Sequence, residues 1–281
     1  MLPGALIEDL VRRALLEDFG RAGDLTSAAV VPQDARLTTA IVARNAGVLA
    51  GSNLVPECFR QIDPAVEIVQ RQSDGTRLSA GGIAMIIKGP ARAILTGERT
   101  ALNFLGHLSG IATATRALVD AVAHTKARIC DTRKTIPGLR AAEKAAVRAG
   151  GGTNHRFGLD DAVLIKDNHI AAAGGITFAL QRARQAVGHM IKIEIEVDTL
   201  TQLDEALLTG ADAILLDNMS LDDLREAVRR TNGKAVLEAS GTITVERVAA
   251  IAETGVDLIS SGWITHSAPC LDLGLDVMEA R

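Results

Sequence analysis

The 281-residue chain is 47% hydrophobic and 23% charged, with a formal net charge of -4. That composition suits one large globular domain or two modest ones. A slightly acidic balance with one Trp, no Tyr and five Phe argues against nucleic-acid binding by a basic surface or a base-stacking platform. Any cationic cluster must therefore be local, which points to small anions. Cys58, Cys130 and Cys270 are far apart and show no metal-type spacing, as expected of a chain kept in a reducing cytoplasm. The N-terminal apolar run is interrupted by acids and arginines, so no secretory signal is expected. No run of about 18 apolar residues occurs, and no membrane partner is expected.

Residues 3–19 predict an amphipathic helix, with Pro3 near its start, Ile7, Leu10, Val11, Ala14 and Leu15 as its apolar stripe, and Gly20 as its stop. "RLTTAIVARNAGVLAG" alternates like a strand, turns at Asn45-Ala46-Gly47 and returns as a second apolar run. "VEIVQRQSDGTRL" carries an Asp74-Gly75 turn, and "GGIAMIIKGPARAIL" reads as further strand. This succession of strands predicts a small α+β sheet domain. From about Thr96 a long helical segment leads into alternating strands and helices. Strands are expected at 127–130, 162–166, 191–197, 213–217, 235–239 and 256–260, with Ser220 and Thr244 as helix N-caps. Six strands fall short of a closed eight-stranded barrel, so an incomplete barrel and an open doubly wound sheet both fit. No GxGxxG or Walker A run follows any of these strands.

In parallel β/α architectures, chemistry gathers where strands end. Here those ends read Asp131-Thr132-Arg133-Lys134, Lys166-Asp167-Asn168-His169, Asp217-Asn218, Glu238-Ala239-Ser240-Gly241 and Ser260-Ser261-Gly262. Along "IKIEIEVD", Ile191, Ile193, Ile195 and Val197 share one face, while Lys192, Glu194, Glu196 and Asp198 share the other. A strand covered on both faces should be apolar on both. The acidic face should then meet water, a cation or a polyhydroxyl ligand, unless the strand lies at a sheet edge. Gly150-Gly151-Gly152 permits a tight turn just before His155-Arg156. Arg133, Lys134, Arg156 and Lys166, with His155, would suit a compact dicarboxylate. The two final Ser-Gly loops would suit phosphate.

The block "CDTRKTIPGLRAAEKAAVRAGGGTNHRFGLDDAVLIKDNHI", with "IEIEVDTLTQLDEAL", "ILLDN", "LEASG" and "THSAPCLDLGLD", resembles the quinolinate phosphoribosyltransferase (decarboxylating) family. "LEDFGRAGDLTS" and "GERTALNFLGHLSGIAT" extend the likeness over nearly the whole chain. The resemblance implies an α/β chain in two domains. Residues 1–110, completed by 268–281, would form an N-terminal α+β sandwich, and residues 111–267 an incomplete, open α/β barrel of about six parallel strands. It also implies transfer of a phosphoribosyl group from phosphoribosyl pyrophosphate to quinolinate with loss of CO₂, dependent on Mg²⁺, in a homodimer or higher homo-oligomer.

By position, the resemblance gives quinolinate to Arg99 (from the partner subunit), Thr132, Arg133, Lys134, His155, Arg156 and Lys166. It gives phosphoribosyl pyrophosphate to Glu196, Asp217, Ser240, Gly241, Thr242, Ser261 and Gly262. Lys134, Lys166, Glu196 and Asp217 are the implied catalytic set, with Glu196 and Asp217 also organising Mg²⁺. Thr242 stands where the family usually has glycine, and Trp263 where a smaller residue is expected. A same-fold transferase for another acidic ring is disfavoured by the intact "TRKT", "NHRFG" and "IKDNH" runs. A non-catalytic metabolite-binding homologue would be expected to lose Glu196, Asp217 or Lys166, and all three are present.

Overall fold

The computed structural model describes residues 2–280, with side chains through Met278. Two compact units emerge: Met1–Arg116 with Ile136–Gly151 and Ser267–Arg281, and Ala117–Thr135 with Gly152–His266. In the first, α1 (Gly4–Phe19) buries Ile7, Leu10, Val11 and Leu15, the spacing that places residues on one face of a helix. It packs on α3 (Leu54–Ile62); the short α2 (Leu25–Val30) lies between them in sequence, with Asp24 capping it by accepting from Ser27 N.

β1 (Arg36–Ala43), β3 (Glu67–Arg71), β5 (Ile83–Pro90) and the C-terminal β12 (Leu273–Ala280) form an antiparallel sheet in the order β12-β1-β5-β3. Two expectations change here. The run after Asn45-Ala46-Gly47 does not fold back on β1; its two-residue strand β2 (Gly47–Val48) pairs with β4 (Arg77–Leu78). The segment "ARAIL" is not strand, because β5 ends at Pro90 and α4 (Ala91–Val122) begins at once. Proline's fixed φ and missing N–H suit the residue that leads into a helix.

Within the first unit α4 carries glycines where the C-terminal segment crosses it. Leu271 N donates to the Gly106 carbonyl at 2.9 Å, and a Cβ on Gly110 would stand 2.1 Å from the Pro269 carbonyl oxygen. Backbone meets backbone there, so no rotamer change relieves the clash. Gly110→Ala is expected to cost about 3 kcal/mol or more. Urea unfolding tests this: the midpoint should fall with little change in slope, and an unchanged midpoint would refute the close approach.

The second unit is built on six parallel strands in the order β6-β11-β10-β9-β8-β7. These are β6 (Arg128–Cys130), β7 (Val163–Ile165), β8 (Ile193–Val197), β9 (Ala213–Asp217), β10 (Val236–Ser240) and β11 (Leu258–Ser260). β6 and β7 do not pair, so the barrel is open between them; a bridge from Cys130 to Thr153 extends the β6 side. Helices separate the strands: α6 (Asp167–Ala173), α7 (Ile176–Ala186), α8 (Leu200–Thr209), α9 (Leu221–Thr231), α10 (Val245–Ala252) and α11 (Trp263–His266). Between β6 and β7 in sequence lies α5 (Arg140–Ala149), which belongs to the first unit.

Ser220 caps α9 by accepting from Asp223 N, but its hydroxyl turns back onto the Asp223 carboxylate rather than completing a reciprocal box. Thr244 stands at the α10 N-cap without a side-chain bond to the backbone. β8 lies between β7 and β9, which rules out the edge-strand reading. Ile193, Ile195 and Val197 are buried on its helix-facing side, leaving Glu194 and Glu196 on the other. The acidic face thus points toward the barrel interior, where each carboxylate has a partner.

Candidate active site

Residues at the C-terminal ends of the barrel strands enclose a cavity of about 620 Å³ in the second unit. One wall is cationic. Arg133 and Lys134 follow β6, Arg156 stands on the loop after Thr153, and Lys166 caps α6 just past β7. The local chain explains these placements. Thr132 Oγ1 accepts from Lys134 N at 3.0 Å, while Lys134 O accepts from Thr265 Oγ1 at 2.7 Å, which pins the turn after β6. Lys166 N donates to His169 Nδ1 at 2.9 Å, so His169 acts as a helix cap.

The cationic wall holds buried donors without partners among the described residues. Arg133 Nε and Arg156 Nε are both buried and unbonded. Burial, and then the neighbouring Arg133, lowers the Arg156 pKa from its ordinary value. Two guanidiniums held this way are each made less comfortable by the other, and a bound anion would relieve both.

Opposite them stand the acids. Glu196 on β8 is ion-paired with Lys166, and Asp217 at the end of β9 accepts from Asn218 Nδ2 at 2.8 Å. The third side is small and polar: Ser240 at the end of β10 with Gly241 and Thr242 after it, and Ser260 at the end of β11. Gly241 has φ 97°, and a Cβ there would lie 2.0 Å from Asn218 Oδ1. Only glycine fits. Thr242 adopts φ 28°, a left-handed value that costs a threonine roughly 1–2 kcal/mol. The backbone accordingly keeps, at this position, a conformation natural to glycine.

Of the residues singled out in the sequence, Thr132, Arg133, Lys134, His155, Arg156, Lys166, Glu196, Asp217, Ser240, Gly241 and Thr242 share this cavity. Ser261 is buried just past Ser260, and Gly262 backs onto Lys134, where a Cβ would stand 2.8 Å from its Cδ; neither lines the cavity. Arg99 lies in the first unit, exposed on α4. Trp263 opens α11 and is 41% exposed. Asn218, Glu238 and Ser260, noted in the sequence as polar strand ends but given no binding role there, also line the cavity.

Beneath the cationic wall is a buried polar cluster. His155 Nε2 lies 2.9 Å from Glu194 Oε2 and 3.6 Å from Glu238 Oε2. Burial, and then Glu194, pushes the Glu238 carboxyl up to about 7; only a protonated His155 would oppose that shift. Between the ordinary value of 4.5 and about 7, the folded chain therefore holds a proton that the unfolded chain has lost. The stability this group contributes is present below pH 4.5 and lost as pH rises through about 7. Glu238→Gln resembles the protonated acid, so its stability relative to wild type should improve by a few kcal/mol across that window. Urea unfolding at both ends of the window measures it; a pH-independent difference would contradict a raised Glu238.

Comparison with known proteins bears on all of this. Residues 24–109 match the family described as "Quinolinate phosphoribosyl transferase, N-terminal domain", and residues 111–276 match its C-terminal domain. The chain belongs to the quinolinate phosphoribosyltransferase family. It is 46% identical to the "Probable nicotinate-nucleotide pyrophosphorylase [carboxylating]" of Bacillus subtilis, over 96% of this chain and 93% of that one. Identity is also 46% with the "Nicotinate-nucleotide pyrophosphorylase [carboxylating]" of Mycobacterium leprae, over 96% of both chains. Among solved structures, the nicotinate-nucleotide pyrophosphorylase from Francisella tularensis superposes with a TM-score of 0.95 at 42% identity, covering 99% of this chain and 98% of that one. The two matched domains and the open six-stranded barrel are thus those of a quinolinate phosphoribosyltransferase.

Proposed function

We propose that the chain transfers the phosphoribosyl group of phosphoribosyl pyrophosphate to quinolinate, releasing pyrophosphate and CO₂ and yielding nicotinate mononucleotide, a step in de novo NAD synthesis. The observation that carries this reading is the cationic wall with two buried, unbonded guanidine Nε atoms, facing carboxylates across one cavity. Arg133, Arg156, Lys134 and Lys166 receive the two carboxylates of the pyridine ring. Each charge-assisted contact contributes about 1.5–3 kcal/mol. Thr132 closes the turn that aims Lys134.

Opposite, Ser240, Gly241 and Thr242 hold the 5-phosphate through backbone N–H groups, assisted by the Ser260 side and the adjacent Ser261-Gly262 turn. Asp217 and Glu196 meet the ribose and stabilise positive charge growing at its anomeric carbon. The ring nitrogen attacks that carbon; the new N–C bond forms as the C–O bond to pyrophosphate breaks. The bond from the ring's C2 to its carboxylate then breaks, leaving its electron pair at C2 beside the positively charged nitrogen. CO₂ departs, and C2 takes a proton. A protein that fixes the ring and strips water from it supplies most of what this second step needs.

Glu196 and Asp217 offer hard oxygen donors on adjacent strands in one cavity, which suits Mg²⁺ shared with substrate phosphates and waters. The ion would neutralise charge on the departing pyrophosphate. The exposed Arg99 is proposed to serve a neighbouring subunit's cavity in a homodimer. A cytoplasmic setting is proposed as well, in keeping with three free cysteines. Among the described residues no helix is long and apolar enough to cross a membrane.

Steady-state rates with quinolinate and with nicotinate as acceptors test the proposal. The kcat/KM for quinolinate should exceed that for nicotinate by about 100-fold or more, because nicotinate leaves one set of cations unpaired. Preference for nicotinate would refute it.

A further inference from the structure

The sequence leaves Asp131 without a role, and the resemblance gives His155 to the substrate. Contacts in the second unit suggest another arrangement. Asp131 is fully buried directly after β6. One of its oxygens accepts from Asn154 Nδ2 at 2.5 Å, the other from His155 N at 2.9 Å. The loop that carries Arg156 is thereby tied to the turn that carries Arg133.

The imidazole is committed at both nitrogens. His155 Nδ1 accepts from Arg156 N at 2.7 Å, so it carries no proton of its own. His155 Nε2 faces Glu194 Oε2 at 2.9 Å. A carboxylate can only accept, so the ring's one proton sits on Nε2. A second proton, on Nδ1, would set two N–H groups against each other at hydrogen-bond distance. The ring, flanked by Glu194 and Glu238 and with a side-chain exposure of 12%, has little freedom to turn.

We infer that His155 is a neutral positioning residue, held by Asp131 from below and by Glu194 at its ring, whose task is to aim Arg156 into the cavity. It supplies no charge to the substrate. The inference rests on Arg133 and Arg156 being the carboxylate-binding arms. It adds Asp131 and Glu194, neither of which lines the cavity, as residues that set the geometry of those arms.

Two measurements test it. The first compares Glu194→Leu with Glu194→Gln. Leucine removes the acceptor, and the quinolinate KM should rise about ten-fold or more, with the phosphoribosyl pyrophosphate KM changing less than about two-fold. Glutamine keeps an oxygen for the Nε2 proton without a charge, so it should recover most of that loss. Equal impairment by both variants would mean that the ring needs a charged partner, and would overturn the inference. Asp131→Asn, which must turn an amide donor toward one of two donors, should likewise raise the quinolinate KM selectively; an equal rise for both substrates would overturn its role.

The second measurement is ¹⁵N NMR of histidine-labelled protein at neutral pH, with Asn substituted for His155 to identify its signal. The inference predicts the neutral Nε2–H pattern; an imidazolium pattern would overturn it. This arm needs neither turnover nor a folded Leu variant. Its failure is therefore distinguishable from failure of the proposed reaction, which only the product assay reports.

Discussion

Arg133→Ala is expected to raise the KM for quinolinate about 100-fold while moving that for phosphoribosyl pyrophosphate less than about three-fold. The asymmetry follows from where the guanidinium stands. Arg133 belongs to the cationic wall, has a buried Nε without a partner, and helps to depress the Arg156 pKa. Removing it deletes one charge-assisted contact to a carboxylate and leaves that oxygen facing an apolar stub. It also relieves Arg156 of repulsion, which returns a little of the loss. The proposed phosphate side, at the ends of β10 and β11, is made of other residues. Initial rates with each substrate varied against the other measure both constants. A matching rise in both KM values would place Arg133 outside the acceptor site.

Asp217→Asn is the second large effect expected. The substitution keeps size and shape, and the amide oxygen can still accept from Asn218 Nδ2 as the carboxylate does at 2.8 Å. What it removes is the negative charge at the end of β9. If that charge stabilises positive character at the anomeric carbon, kcat should fall about 100- to 1,000-fold. Quinolinate affinity, measured by direct titration, should change less than about two-fold, because the acceptor's cations are untouched. A variant that loses quinolinate affinity but keeps its turnover would reverse the assigned role. Asn218 sharpens the comparison: its backbone is left-handed at φ 52°, and its side chain sits between Asp217 and Gly241. Asp217 and the turn after β10 are thus joined through one left-handed asparagine.

The barrel was largely legible because its signals are local. Each strand is a short apolar run ending in polar residues, and alternation in "IKIEIEVD" identified Glu194 and Glu196 as sharing a face. The Arg133, Arg156 and Lys166 grouping also emerged, since chemistry in parallel architectures collects at one end of the strands. What escaped depends on distant partners. β2 and β4 contain two residues each, too few to show a period, and their pairing joins Gly47 to Leu78. "ARAIL" is apolar enough for strand or helix, and only the backbone after Pro90 decides. Asp131 stood at a polar strand end with no role assigned, because its partner Asn154 is 23 residues away. Glu238 was read as a polar strand end, although its burial and its neighbour Glu194 make it a high-pKa acid in the barrel interior. The resemblance supplied residue roles that spacing alone does not provide. For His155, the hydrogen-bond geometry carries the inference of a positioning role in place of the substrate contact that the resemblance implies.

One cavity is proposed to join phosphoribosyl transfer to loss of a ring carboxylate. The most direct test supplies quinolinate labelled with ¹³C in its C2 carboxylate, together with phosphoribosyl pyrophosphate and Mg²⁺, and follows all three products. Labelled CO₂, pyrophosphate and unlabelled nicotinate mononucleotide are expected in equal amounts throughout the time course. A mononucleotide that retains the label, or pyrophosphate released without CO₂, would contradict it.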